Sequence, residues 1–407
     1  MSRILLIAPT CDGSDIGEAW VAYQWAARLA PRHDVTLLTY HKRGRPPART
    51  QLDGLRIVEW AEPPLLGRAE RLNSLLKPGY AAFYVRARRW IKRALAAGEH
   101  FDVVHQPVPV AMRYPSPAAG LGVPVVVGPV GGGLSDPPGF SDDGDTSPWY
   151  TRLRALDQFR LRHDPLLRRT YTDARVVLGI APYVGDLLEG IPLHELVVMS
   201  ETALPELPPA HSRSTHPGAL RLLFVGRLVR TKGARDLVRA MSLLADEDVV
   251  LDVVGDGPDR ATCEALAVEL EVADRVRFLG RLDRGEVDAF YRDADVFVFP
   301  SYREPGGNVA LEAMGHGLPL IVCDRGGPGS AVDATCAIAL PVSTPDALAR
   351  DVAAAVRTLA HDPARRLAMG RSARERVTSM GLWDAKIRAV EAIYNRVGSG
   401  SAATPHG

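Results

Sequence analysis

Short, valine-rich apolar runs recur along this chain, many of them trailed by residues with helical spacing, and the series occurs twice. In the first half the runs are ILLIAP (Ile4–Pro9), DVTLLT (Asp34–Thr39), LRIVEW (Leu55–Trp60), FDVVH (Phe101–His105), VPVVVG (Val123–Gly128), ARVVLG (Ala174–Gly179) and ELVVMS (Glu195–Ser200). The interval Leu204–Ala219 is rich in proline and serine. The series then restarts with LRLLFVG (Leu220–Gly226), VVLDVVG (Val249–Gly255), RVRFLG (Arg275–Gly280), DVFVFP (Asp295–Pro300) and LPLIVC (Leu318–Cys323). None alternates strictly between apolar and polar residues, as expected of strands buried on both faces of a parallel sheet. Two successive βαβ series predict an α/β chain of two Rossmann-like, doubly wound domains. Ligands bind beyond the carboxyl ends of such strands, so two facing sheets would share one cleft.

The 407 residues exceed what one ordinary core holds, consistent with two domains. The expected division is a first domain over 1–204, a linker over 205–219 and a second domain over 220–380. A helix over 381–397 could pack back on the first domain, and a disordered tail is expected over 398–407. A formal charge of +1 removes any bulk attraction to nucleic acid or acidic membranes. Cys11, Cys263, Cys323 and Cys336 have no paired spacing, which suggests a reducing compartment and no zinc site. MSRILLIAP is too short for a signal-peptide core and reads as a first strand, so a cytoplasmic protein is expected.

Two motifs in the second half carry chemistry. GRLVRTKG (Gly226–Gly233) follows a strand directly and puts Arg227 and Lys232 in one loop. Two cations at the carboxyl edge of a parallel sheet suit a pyrophosphate, and two solvated side chains are the other reading of this loop taken alone. A Walker A loop would need glycine before the lysine, where Thr231 stands. In FPSYREPGGNVALEAMGHGLPLIV, Glu304 lies in a loop and Glu312 eight residues later, with Gly306 and Gly307 between. A helix should begin near Asn308 and end at Gly317-Leu-Pro319, which places Glu304 before it and Glu312 about one turn inside. The carboxylates cannot share a face and need different jobs. The glycines let backbone approach a ligand, and the N–H groups at the helix start can bind phosphate.

Glu304 to Glu312, the Arg227 and Lys232 loop and VVGDGP (Val253–Pro258), in this order and spacing, resemble glycosyltransferase family 4, of the GT-B fold. The resemblance covers the second half and extends weakly through the first. It implies a retaining, metal-independent sugar transfer from a nucleoside diphosphate sugar, UDP favoured over GDP, to a glycan, lipid-linked or small-molecule hydroxyl. No cofactor is required. Arg227 and Lys232 would hold the donor diphosphate, Glu304 the sugar hydroxyls and Glu312 the ribose. The backbone of Gly306, Gly307, Asn308 and Val309 would meet phosphate and sugar, with Arg281 and Leu282 flanking the base. Retention is expected by front-face attack, the departing phosphate accepting the acceptor's proton.

In the first half, Gly13 and Gly17 sit in the first strand-to-helix turn, where the family approaches donor phosphate and acceptor; an ordinary βα turn is the alternative. GPVGGG, with Gly128 and Gly131, could form an anion nest. Many family members carry a histidine where Gly128-Pro129 stands, which makes His105 the nearest acceptor-side histidine, or else a structural one. Asp293-Ala-Asp295 precedes a strand, unlike a metal-binding DxD, and Asp142, Asp143 and Asp145 read as solvated, so no metal is expected. Tyr84–Leu95 is basic and amphipathic and could lie on an anionic bilayer, or present a solvated face. No nucleic-acid partner is expected, and oligomeric state is not legible. A catalytically inert GT-B protein, or phosphorolysis or epimerisation on the same scaffold, are the other readings.

Overall fold

The computed structural model describes residues 1–15, 17–62, 79–140, 154–210 and 218–399. Among these, the chain divides into two compact units: residues 1–133, 154–202 and 386–399 form one, and residues 134–140 and 203–385 the other.

The first unit is built on β1 (Arg3–Thr10), β2 (Asp34–His41), β3 (Arg56–Ala61), β4 (Val103–Gln106), β5 (Val125–Val130), β6 (Ala174–Gly179) and β7 (Leu196–Val198). Their order across the sheet is β3-β2-β1-β4-β5-β6-β7, with every pairing parallel. Ile4, Leu5, Leu6 and Ile7 are all buried, which is why β1 reads as continuous apolar sequence. Each such side chain taken fully out of water contributes about 1.5–3 kcal/mol.

The second unit holds β8 (Leu220–Val225), β9 (Val249–Val254), β10 (Val276–Gly280), β11 (Val296–Phe299), β12 (Leu320–Cys323) and β13 (Ala337–Leu340), in the order β10-β9-β8-β11-β12-β13 and again all parallel. The order reverses direction at β1/β4 in one sheet and at β8/β11 in the other. Those are the crevices where a doubly wound sheet takes its ligands. Twelve strands were expected; β13 was not. Its sequence, AIAL, is half alanine, a poor strand former, and pairing with β12 overrides that preference.

Three details differ from expectation. Residues 134–140 lie within the stretch assigned from sequence to the first domain, yet they group with the second unit. The start of the expected linker is tied down: Leu204 N–H donates to Gly381 O at 2.8 Å, and Trp383 N–H to Leu204 O at 3.0 Å. Pro208 O accepts from Arg374 at 2.7 Å. Residues 211–217 of that linker and 400–407 of the expected tail fall outside the described residues.

The closing helix, Trp383–Ser399, runs past the expected end at 397. From residue 386 onward it groups with the first unit. There Lys386 donates to Thr202 O at 2.7 Å, and Tyr394 Oη meets His105 Nδ1 at 2.6 Å.

Candidate active site

In the second unit, the loops after β8 and β11 flank the crossover and interlock. The β8 loop turns on Gly233, whose φ of 79° needs glycine and whose Cβ would stand 2.1 Å from Pro300 O. Ser301 Oγ donates to Thr231 O at 3.0 Å. VVGDGP braces this loop from behind. A Cβ on Gly255 would lie 1.9 Å from Gly226 O and one on Gly257 2.2 Å from Leu228 O, so both must be glycine for the turns to stack. Leu228 N–H then donates to Asp256 O, and Asp259 N–H to Leu228 O, each at 3.0 Å.

The three cations of this loop divide their work. Arg227 is exposed. Arg230 is buried; it donates to Asp236 at 2.6 and 3.1 Å and lies 5.4 Å from the ring centres of both Phe140 and Tyr302. Lys232 forms an ion pair with Glu304, the first carboxylate of the second motif. Burial, then the Arg227 and Arg303 guanidiniums, push the Lys232 ammonium down to about 8, while the Glu304 carboxylate beside it acts the other way.

The helix Asn308–Gly315 starts where the sequence placed it, capped by Gly307 with φ 84° and no side-chain cap. Its first N–H groups are thus not taken by a capping side chain, and the helix dipole favours an anion there. Glu312, half-buried in the helix's fifth position, accepts from Tyr291 Oη at 3.1 Å. Burial raises its carboxyl, with the Tyr291 hydrogen bond and Arg284 opposing. Arg281 and Leu282 follow β10 in the strand order's outer position, the first exposed and the second half-buried.

The pair Gly326-Gly327 sets the position of the Glu304 loop. Gly327 N–H donates to Glu304 O at 3.0 Å. A Cβ on Gly326 would stand 2.1 Å from Glu304 O, and one on Gly327 1.8 Å from Gly306 O. The segment 134–140 closes the same place from another side. Asp136 pairs with Arg303, Ser135 O accepts from Arg325 at 3.1 Å, and Phe140 packs on Tyr302 at 4.2 Å between ring centres. Arg230, Arg303 and this segment were not singled out from sequence, and the two glycines were visible only as the GG of DRGGPGS (Asp324–Ser330). A glycine pair followed by proline was the only visible signal.

The first unit places its candidates differently. Gly17 caps the helix Glu18–Leu29 with φ 72° and has open space around it. Gly128 is required by packing: its φ is 109° and a Cβ would lie 2.2 Å from Leu178 O. Gly131 N–H donates to Val110 O at 2.7 Å and Gly132 N–H to Tyr183 Oη at 3.2 Å, so these two are committed and do not form an open nest.

His105 is fully buried, edge-on to Trp25, with both nitrogens bonded. Because Gly128 O can only accept, Nε2 carries the proton at 2.6 Å and Nδ1 accepts from Tyr394. Burial pushes its pKa down to about 4. This is a neutral histidine with both nitrogens spent inside the first unit, the arrangement expected of the structural alternative. Asp295 accepts from Arg221 N–H at 2.9 Å, which accounts for the second aspartate of Asp293-Ala-Asp295. Asp142, Asp143 and Asp145 lie outside the described residues.

The basic segment Tyr84–Leu95 lies in the helix Gly79–Ala96, and its apolar positions Phe83, Ala87 and Ile91 are spent on the core. Trp90 is half-buried under Arg56. Those side chains are not available for insertion into a bilayer; the exposed remainder is Val85, Arg86, Arg89, Lys92 and Arg93. Among the described residues, no helix is long and apolar enough to cross a membrane.

Comparison with known proteins fits this geometry. The family described as Glycosyl transferases group 1 matches residues 212–376, and the Glycosyl transferase 4-like domain matches residues 17–200. Glycogen synthase of Mycobacterium tuberculosis is 35% identical over 196 residues, 46% of this chain and 45% of that protein. The 2-deoxystreptamine glucosyltransferase of Streptomyces kanamyceticus is 35% identical over 231 residues, 55% of this chain and 58% of that one. The chain thus spans about half the length of the curated relatives it matches. Among solved structures, sucrose-phosphate synthase from Thermosynechococcus elongatus superposes with a TM-score of 0.63 at 21% identity, covering 98% of this chain and 100% of that one. HepE of Anabaena, in complex with UDP and glucose, gives 0.60 at 16% identity, covering 97% and 100%. At these identities the structural likenesses speak for the fold alone.

Proposed function

This chain belongs to the group 1, family 4 glycosyltransferases and has their GT-B fold, and from that premise we propose that it moves a sugar from a nucleoside diphosphate to a hydroxyl acceptor. The observation that carries the proposal is the Lys232–Glu304 pair at the crossover of the second sheet, with Arg227 on the same loop and Glu312 on the adjoining helix. Lys232 and Arg227 bind the diphosphate and take up charge as the sugar–phosphate bond breaks. Glu304, released from Lys232 when phosphate arrives, accepts hydrogen bonds from sugar hydroxyls. The N–H groups of Gly306, Gly307, Asn308 and Val309 contact phosphate and sugar. Glu312, steadied by Tyr291, accepts from the ribose hydroxyls, and Arg281 and Leu282 flank the base.

Transfer proceeds with retention at the anomeric carbon. The bond to the leaving phosphate breaks, the acceptor oxygen bonds on the same face, and the departing phosphate takes the acceptor's proton. This needs cations and dipoles rather than a metal or a protein base. Acceptor recognition falls to the first unit, near Gly17 and Gly131. UDP is the favoured carrier. A thermal-shift screen of UDP, GDP, ADP and their sugars tests the reading. A ligand at 100 times its Kd should stabilise by about 2.7 kcal/mol. No shift with any of them at millimolar concentration would refute it.

A further inference from the structure

The pair Arg303–Asp136 lies beside the candidate site and has no part in the roles above. Arg303 immediately precedes Glu304, whose carboxylate meets Lys232, so its guanidinium is carried by the same loop. It is largely shielded, with 17% of its side chain exposed. Asp136 engages one of its nitrogens, Nη1. Nε and Nη2 have no protein partner among the described residues.

Asp136 itself is held on the segment 134–140, which Arg325, Tyr302 and Arg230 fasten to the second unit. Its second oxygen, Oδ1, is buried and accepts nothing from the described residues. A buried acceptor left unmet is costly, so a ligand with a hydrogen to donate would complete it. A sugar hydroxyl of the donor would meet Oδ1, while the cations beside it call for the donor's anionic part. Arg227, Lys232 and Arg303 outnumber Glu304 and Asp136, and the two guanidiniums are near enough to press on the Lys232 ammonium. Like charges gathered in a half-buried place are repaid when an anion binds among them.

We propose that Arg303 is a third cation of the donor site, contacting the diphosphate through the nitrogens Asp136 leaves free. This rests on the reading of Lys232 and Arg227 as the diphosphate cations. A planar guanidinium with two adjacent donors fits a phosphate oxygen pair better than a second lysine would.

The test is isothermal titration of UDP, inorganic pyrophosphate and uridine into the wild type, Arg303→Gln, Arg303→Lys and Lys232→Ala at one fixed salt concentration. Arg303→Gln should weaken UDP and pyrophosphate by about 10- to 150-fold, the range for one charge-assisted hydrogen bond. Uridine affinity should be unchanged, and Arg303→Lys should recover part of the loss. If Arg303→Gln binds pyrophosphate within twofold of the wild type while Lys232→Ala is at least tenfold weaker, the inference fails and the function stands. A wild type that binds neither UDP nor pyrophosphate, or a Lys232→Ala variant with full affinity, overturns both. A loss confined to a donor whose sugar bears a carboxylate, UDP-glucuronate against UDP-glucose, would place Arg303 at the sugar and overturn the assignment to the diphosphate.

Discussion

Adding one methyl group at Gly327 should cripple the donor site while leaving the protein folded. Gly327 has an ordinary backbone conformation, so alanine there brings no intrinsic strain; the conflict is purely steric. Its Cβ would stand 1.8 Å from Gly306 O, 2.4 Å from Gly306 C and 2.6 Å from Pro305 O. Ordinary contact begins at 3.4 Å, so the loop and the helix Gly326–Ala331 must separate by about 1.6 Å. The helix cannot simply retreat. It is tied to the loop through Gly327 N–H to Glu304 O, and Pro328 already packs where a Cβ of Gly307 would lie.

The displacement therefore falls on Pro305 and Gly306, and carries Glu304 and the start of the helix Asn308–Gly315 with it. A misplacement of about 1 Å can cost 10²-fold in rate, so donor hydrolysis by Gly327→Ala should fall about 100-fold. Overpacking of this kind costs about 1–3 kcal/mol, a melting point lower by roughly 2–12 °C. Nucleotide release from a sugar donor without acceptor, followed beside a thermal melt, measures both. Gly285→Ala is the control, since its Cβ would meet only Asp283 Oδ1 at 3.5 Å, and it should be neutral. Gly327→Ala with the lowered melting point but turnover within twofold of the wild type would refute the argument that loop position governs the site.

Three further outcomes are expected. On the proposed reading Lys232 holds phosphate only when protonated, and burial with the neighbouring guanidiniums brings its pKa to about 8, so kcat/KM for the donor should fall as pH rises through about 8; a Lys232→Arg variant that works should keep its activity to higher pH, and an unchanged profile would remove Lys232 from the free enzyme's titration. His105 is held neutral with a pKa of about 4 against 6.5 unfolded, so the unfolded chain binds more protons between those values, and stability should fall as pH drops from about 6.5 toward 4. The shift is worth about 3 kcal/mol in full; urea midpoints at pH 7 and 4.5 should differ more for the wild type than for His105→Gln, and equal differences would contradict it. Asp236→Asn would remove the buried carboxylate that Arg230 and Arg239 share and should cost about 3–5 kcal/mol by urea denaturation, whereas a loss under 1 kcal/mol would mean that this pairing does not hold the loop.

The strands were legible because burial on both faces leaves valine and isoleucine nearly unbroken, as in VVLDVV of β9. Where the pairing partner rather than the residue decides, as in AIAL of β13, periodicity is silent. The helix at Asn308 was legible from Gly307 before it and Gly317 after it.

The site was legible only in part, and the reason is local geometry. Arg230 and Lys232 sit two apart in one short turn, yet one is buried on Asp236, six residues on, and the other faces Glu304, 72 residues away. Nothing in GRLVRTKG distinguishes them. His105 ends a strand as a catalytic histidine would, and only Tyr394, 289 residues later, shows that both its nitrogens are used. The segment 134–140 was invisible as part of the second unit because its contacts, Asp136 with Arg303 and Phe140 with Tyr302, cross more than 160 residues of sequence.

The central claim is that a nucleoside diphosphate is gripped at the loops after β8 and β11. A crystal structure with UDP, or with whichever diphosphate the thermal screen selects, tests it most directly. The account predicts Lys232 Nζ and the Arg227 guanidinium within about 3 Å of the diphosphate oxygens, with Lys232 parted from Glu304, and the ribose hydroxyls on Glu312. A nucleotide bound elsewhere, or bound here with the Lys232–Glu304 pair intact and no cation on the phosphates, would contradict it.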